Sequence, residues 1–263
     1  MYKTDYFYIP FPNLNESTYK KWISINRLKH LLLGPCFVPT LWFSFPRKNI
    51  WYELKFEEIL RSVKGIIVHS NRVKNHLAKK SNTSYLKNKL KIVRACTNLK
   101  PNHIKGFKER KIDIILFEKY EDLNRTKQGA QLFELFNNSS LKIVKLKYRN
   151  YTKQQMMILA GNSKFVIYFS FYDTGAIGLK EIQNFGVISF SHQKDLVINK
   201  YASYYIPELD NEFDMKAAYE KIMSKIKRLI LSYPDSKKIA KKNQEINKCQ
   251  NALDDLCKAI NKN

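Results

Sequence analysis

Between residues 65 and 206 short apolar runs alternate with longer amphipathic segments. GIIVHS at 65–70, LKIVRA at 90–95, IDIILF at 112–117, LKIVKL at 141–146, KFVIYF at 164–169 and VISF at 187–190 are rich in Ile, Val and Phe, and YYI at 204–206 is a shorter seventh. Runs of that length and content predict buried strands. The spacing between them predicts helices over 72–80, 126–136, 152–160, 176–184 and 214–231, with Ser70 or Asn71 capping the first. An earlier helical pattern covers 56–64, with Phe56, Ile59, Leu60 and Val63 on one face. Residues 1–55 are irregular and rich in aromatics and Pro, with one clear apolar run, HLLLG at 30–34.

Short strands separated by helical segments imply α/β architecture, a parallel sheet covered on both faces. The turn-like TNLKPN at 97–102 reads as a linker. It divides the chain into a small N-terminal α/β domain at 1–100, a larger Rossmann-like domain at 101–232, and a C-terminal amphipathic helix at 233–263. That helix carries Ile239, Ile246, Leu253 and Ile260 seven apart, with Cys249 and Leu256 between them. Lys242 interrupts the heptad, which favours docking on the domains over a coiled coil.

Sheets of this kind bind ligands at the carboxyl ends of their strands, where the strand order reverses. One such end opens the segment SFYDTGAIGLKEIQNFG at 170–186. Asp173 stands in the turn, and Thr174, Gly175 and Ala176 present backbone N–H groups at a helix start, which suits a diphosphate. Gly175 has no side chain to hold a ligand away. Glu181, five residues past Ala176, lies about 7 Å along the axis, the reach from a diphosphate to the hydroxyls of its ribose. Asp173 is then suited to hydroxyls of a sugar beyond the diphosphate. The competing reading is an ordinary strand–helix turn, with Asp173 as a cap and Glu181 as a solvated helical residue.

DTGAIGLKE at 173–181 resembles the E-x7-E motif of retaining GT-B glycosyltransferases, with Asp in place of the first Glu. The likeness extends over roughly 65–230 and is strongest from 141 to 192, where a helix and an "SKF" strand precede the acids and a "GV" turn follows them. The resemblance implies two Rossmann-like domains with parallel sheets, the N-terminal, acceptor-side one truncated. It implies that Glu181 binds the ribose, and that Asp173 with the amides of Thr174, Gly175 and Ala176 binds the sugar and diphosphate. The family also places an Arg/Lys pair after the first strand of the donor domain. In FEKYEDLNRTKQG at 117–129, Lys119 stands near the Arg position, Lys127 echoes the Lys, and Arg125 is a further candidate. Two fixed cations would neutralise the departing diphosphate, the work a metal ion does elsewhere. Two departures stand out. Asp173 is one methylene shorter than the family's Glu, and residues 1–100 offer only three or four strands and no glycine-rich loop.

Charge adds a question of partners. The chain of 263 residues carries 47 basic against 23 acidic residues, a formal charge of +24. Polyanions are the natural partners of such a surface. The lysines are spread along the chain and no nucleic-acid motif is present, so no specific nucleic acid is expected. An anionic membrane surface is a second candidate partner, with WFSF at 42–45 and Trp51 read either as its contacts or as core and interdomain packing. The N-terminus lacks a secretory signal and no apolar run reaches the ~18 residues of a membrane span, which points to a cytoplasmic protein, at most peripheral to a membrane. Cys36, Cys96, Cys249 and Cys257 form no close pair and read as reduced thiols. His69, closing the run at 65–70, is an acceptor-side candidate, and His192 reads as structural. No metal site and no cofactor are expected, the nucleoside-diphosphate sugar being a substrate. The function expected is transfer of a sugar from that donor to a hydroxyl on a glycan, lipid-linked or protein acceptor. The alternatives are a non-catalytic nucleotide-sugar or glycan-binding module, and a basic protein that binds nucleic acid or a membrane surface.

Overall fold

A computed structural model describes residues 7–9, 31–33, 63–79, 84–119, 123–148, 150–170, 175–197, 199–210 and 214–261. The chain forms two compact units, one of Met1–Ala95 with Ala252–Asn263 and one of Cys96–Asn251. The helix expected at 56–64 lies outside the described residues, apart from Val63 and Lys64, which form a bend.

In the first unit, β1 (Phe7–Ile9), β2 (Leu31–Leu33), β3 (Gly65–Val68) and β4 (Leu90–Ile92) form a parallel sheet in the order β1-β2-β3-β4. Every residue of β3 is buried, as expected of a short apolar run with no polar face. Helix α1 (Asn71–Lys79) follows it. Ser70 is its cap: the Ser70 hydroxyl accepts the Val73 N–H at 3.3 Å, satisfying one orphan donor of the first turn. Val73 and Leu77, one turn apart, supply the buried face of α1.

The second unit holds β5 (Ile112–Glu118), α2 (Leu123–Asn137), β6 (Ile143–Lys147), α3 (Lys153–Asn162), β7 (Ser163–Phe169), α4 (Ile177–Gln183), β8 (Ile188–Ser191), β9 (Ser203–Tyr205), α5 (Lys216–Ser232) and α6 (Ser236–Asn247). Its five strands are parallel, in the order β6-β5-β7-β8-β9. Period-2 alternation along the strands feeds two cores. Ile114, Leu116, Phe165, Ile167, Phe169, Ile188 and Phe190 pack with Leu132 and Phe136 of α2 and with Ala218, Ile222 and Ile226 of α5. Ile115, Phe117, Val166 and Tyr168 point the other way, onto Met156 and Ala160 of α3 and Leu179 and Ile182 of α4. Each fully buried side chain of this size contributes roughly 1.5–3 kcal/mol, so the central strands β5 and β7, apolar on both faces, are the strongest part of the unit.

Two local devices fix the helices nearest the sheet's carboxyl edge. Thr152 and Gln155 form a capping box at the start of α3: the Thr152 hydroxyl accepts the Gln155 N–H at 3.1 Å, and the Gln155 side chain accepts the Thr152 N–H at 2.8 Å. Gly178 lets α4 lie close on β5, because a Cβ there would meet the Phe117 ring at 3.1 Å.

The C-terminal region differs from the single amphipathic helix expected over 233–263. It is two helices, α6 and α7 (Cys249–Asn261), separated at Lys248. Their stripe is different too. α6 buries Ser236, Ile239, Ala240, Asn243 and Asn247, while Ile246 is only half-buried and Leu253 of α7 is exposed. The buried amides are satisfied on α4: Asn243 donates to the Gln183 carbonyl at 2.7 Å, Gln244 to the Asn184 carbonyl at 3.0 Å and Asn247 to the Asn184 side chain at 2.9 Å. Carbonyls at a helix end have no intrahelical partner, so α6 serves as the C-terminal cap of α4. Gly186 (φ +76°) makes that contact possible, because a Cβ there would lie 2.1 Å from the Ser236 carbonyl oxygen.

The cysteine expectation is corrected outright. Cys96 and Cys249 form a disulfide, with Cα atoms 5.0 Å apart and a sequence separation of 153. Distance in sequence had hidden a pair that the fold brings together. In the chain-entropy account, closing so long a loop stabilises the fold by about 5 kcal/mol. Cys257 is a free, exposed thiol.

Candidate active site

Strand order reverses between β5 and β7: the chain goes from β5 outward to β6, then returns across β5 to β7 and continues to β8 and β9. Helices therefore leave the neighbouring strands β5 and β7 toward opposite faces, which opens a crevice at their carboxyl ends. The two ends are tied together, the Lys119 N–H donating to the Phe169 carbonyl at 3.0 Å. Both loops that leave this point carry candidate residues named from the sequence.

Lys119 stands directly past β5, its ammonium 5.0 Å from the centre of the Tyr148 ring at the end of β6. Arg125 and Lys127 lie in the first turns of α2, and Lys127 is exposed. The Arg125 side chain, like Asp173 and Thr174, lies outside the described residues. Gly175 and Ala176 are buried at the start of α4. Ala176 is in the left-handed conformation, φ 47° and ψ 39°, and its methyl offers no cap to the helix. A non-glycine residue held there stores on the order of 1–3 kcal/mol of strain.

Glu181 is the best-defined acid of the group. It sits on the second turn of α4, about 7 Å along the axis from Ala176, with its side chain only 13% exposed. The Lys153 ammonium lies 3.0 Å from Glu181 Oε1, and the Thr97 hydroxyl donates to the same oxygen at 3.5 Å. Lys153 opens α3, immediately after the capping Thr152. Thr97 is held from below, its N–H donating to the Asn247 carbonyl at 3.0 Å.

Three residues of this neighbourhood escaped the sequence reading. Lys153 had a usable signal, the capping box that fixes the start of α3 beside the crevice. Thr97 had none, being one polar residue in a loop. Glu118, the last residue of β5, is buried, with the Lys145 ammonium 3.6 Å away. An acid ending a buried strand was the available sign. His69 belongs to the first unit. It is half-buried in the first unit, where its Nδ1 lies 2.8 Å from the Val93 carbonyl, a tie between the ends of β3 and β4. Among the described residues no three His, Cys, Asp or Glu side chains converge as a metal site, and no helix is long and apolar enough to cross a membrane.

Two parallel α/β units, the second doubly wound around a switch-point crevice, define the GT-B class of fold, and comparison with solved structures gives the same result. TarM matches with a TM-score of 0.56 at 11% identity, over 89% of this chain and 55% of that one. The GtfA/B complex matches at 0.55 and 11%, over 92% and 59% respectively. Sucrose-phosphate synthase from Thermosynechococcus elongatus matches at 0.55 and 11%, over 90% and 69%. The chain thus spans little more than half the length of the first two, 55% and 59%. No family model and no curated protein matches the sequence.

Proposed function

We propose that the protein is a glycosyltransferase that moves a sugar from a nucleoside-diphosphate donor to a hydroxyl acceptor, with retention and without a metal. The observation that carries this reading is Glu181, a mostly buried carboxylate one helical turn and a half past the buried Gly175–Ala176 start of α4, at the switch point of a GT-B sheet. In this reading Glu181 accepts the two ribose hydroxyls. The backbone N–H groups of Thr174, Gly175 and Ala176 meet the diphosphate, and Asp173 meets the sugar. Lys119, Arg125 and Lys127 offset the charge that grows on the departing diphosphate, a contribution made largest where water is excluded. The acceptor is a glycan, a lipid-linked sugar or a protein hydroxyl.

The test is thermal unfolding against UDP, GDP, ADP and their sugars in 200 mM salt, for the wild type and Glu181→Ala. A ligand at 100 times its Kd adds about 2.7 kcal/mol, a rise of roughly 5–10 °C for a chain of this size. A base-selective rise lost in Glu181→Ala supports the donor site. Equal shifts with inorganic triphosphate sink it. Selective binding without transfer or donor hydrolysis would favour the non-catalytic binding module.

A further inference from the structure

Cys96 and Cys249 mark the two places where the chain passes between its units: it leaves the first at Ala95 and re-enters it at Ala252. Both cysteines are half-buried, so a small thiol can reach them. Each is also within two residues of a group that bears on Glu181. Thr97 follows Cys96, and its hydroxyl donates to Glu181 Oε1 at 3.5 Å. Asn247 stands two residues before Cys249. Its carbonyl accepts the Thr97 N–H at 3.0 Å, and its side chain donates to Asn184 Oδ1 at 2.9 Å and to the Lys180 carbonyl at 3.5 Å. Asn184 closes the circuit by donating to the Leu99 carbonyl at 2.8 Å. The disulfide therefore sits at the root of a ring of hydrogen bonds that runs through residues 97–99, both ends of the α4 segment 180–184, and Asn247.

We propose that Cys96–Cys249 is a thiol–disulfide switch that sets the position of Glu181, an inference that rests on the donor role given to that residue. A dithiol reductant, small-molecule or protein, supplies the chemistry. One of its thiolates attacks a cysteine sulfur, the S–S bond breaks, and a mixed disulfide forms. The second thiol of the reductant then resolves it. Two electrons and two protons pass to the protein as two thiols, and the reductant leaves as its own disulfide. The separated sulfurs can no longer stay at bonding distance and move apart to van der Waals contact. Thr97 and Asn247 are too close in sequence not to follow. Thr97 then withdraws its hydroxyl from Glu181, and Asn247 loosens the end of α4. Cysteine pairs that cycle in this way serve as redox sensors in reducing compartments.

The test uses the full chain with Cys36→Ser and Cys257→Ser, so that the only cysteines left are Cys96 and Cys249. Alkylation followed by mass spectrometry, with and without dithiothreitol, reports the pair directly. Hydrogen exchange then compares oxidised and reduced protein in peptides covering 97–99 and 177–184, with 112–118 of β5 as reference. Reduction is expected to speed exchange at least tenfold in the first two and to leave the third unchanged, with reversal by oxidised glutathione. The nucleoside-diphosphate affinity is expected to fall several-fold in parallel. Full alkylation after oxidation, or unchanged exchange on reduction, overturns the switch. Exchange that ignores reduction in a chain that binds nucleotide removes the switch and leaves the donor site standing. Exchange that responds in a chain that binds no nucleotide keeps the switch and removes the donor role of Glu181.

Discussion

Lys153 Nζ lies 3.0 Å from Glu181 Oε1, a contact between the start of α3 and the second turn of α4. The acid assigned to a ribose diol is thus engaged by a cation before any ligand arrives. The Lys153 side chain is 63% exposed, and an ion pair so open to water contributes only about 0–1 kcal/mol. A diol that donates two hydrogen bonds to the carboxylate can displace it at small cost.

Lys153→Met should therefore raise affinity for a nucleoside diphosphate, by up to about fivefold for 1 kcal/mol of relieved competition. Calorimetric titration of the variant checks this. A fall in affinity would instead make Lys153 a diphosphate ligand.

Gly186→Ala should be among the most damaging substitutions in the second unit. Its φ of +76° disfavours any side chain, and the added Cβ would lie 2.1 Å from the backbone oxygen of Ser236. Pushing α6 off α4 should cost about 2–4 kcal/mol, visible as a lowered urea midpoint. Gly161→Ala is the matched control. There the nearest atoms, on the Phe185 ring, are 3.6 Å away, and the helix should gain a few tenths of a kcal/mol or more, up to about 1.

Arg110 joins three segments from the amino end of the sheet. Buried before β5, it donates to the carbonyls of Ser163 and Phe185, each at 2.6 Å, and to that of Lys105 at 3.2 and 3.3 Å. Burial pushes its pKa down to about 10, with Glu109 opposing the shift. Arg110→Met would strand buried carbonyls and should cost about 3 kcal/mol by chemical denaturation. Arg110→Lys should recover only part of it, because one ammonium cannot fork to all three.

Arg94 and Asp255 predict an acid-sensitive contact within the first unit. The guanidinium grips the carboxylate at 2.6 and 2.9 Å, and this hydrogen bonding, against some burial, holds the Asp255 pKa below its ordinary value. The stabilisation is complete above the unfolded pKa, about 3.9, and is lost as pH falls through the lower folded value. Because Arg94 is 53% exposed, its size should be no more than about 1 kcal/mol. Asp255→Asn should flatten the stability profile below about pH 4, measured by denaturant midpoint against pH.

Much of the second unit was legible because its strands are self-declaring. The run at 112–117 became Ile112–Glu118, and that at 164–169 became Ser163–Phe169: a buried parallel strand needs apolar residues on both faces, and these runs supply them. The helices between them followed within about three residues. The C-terminal region misled for the opposite reason. Asn243 and Asn247 look like surface residues, and only the open carbonyls at the end of α4, sixty-odd positions earlier, make them buried ones. The disulfide failed the same way, through a partner 153 positions distant. At the site, Glu181 was found from spacing, while its companions Thr97 and Lys153 depend on how loops and helix starts meet.

The meeting of Cys96 with Cys249 also says something about modularity. The second unit enters and leaves the chain at points whose Cα atoms are 5.0 Å apart, little more than the ~3.8 Å between consecutive residues. Its sequence is therefore nearly circular. A permuted version, with 96 and 249 joined by a short bridge and new ends opened in the 138–142 turn between α2 and β6, would keep every strand pairing of its sheet.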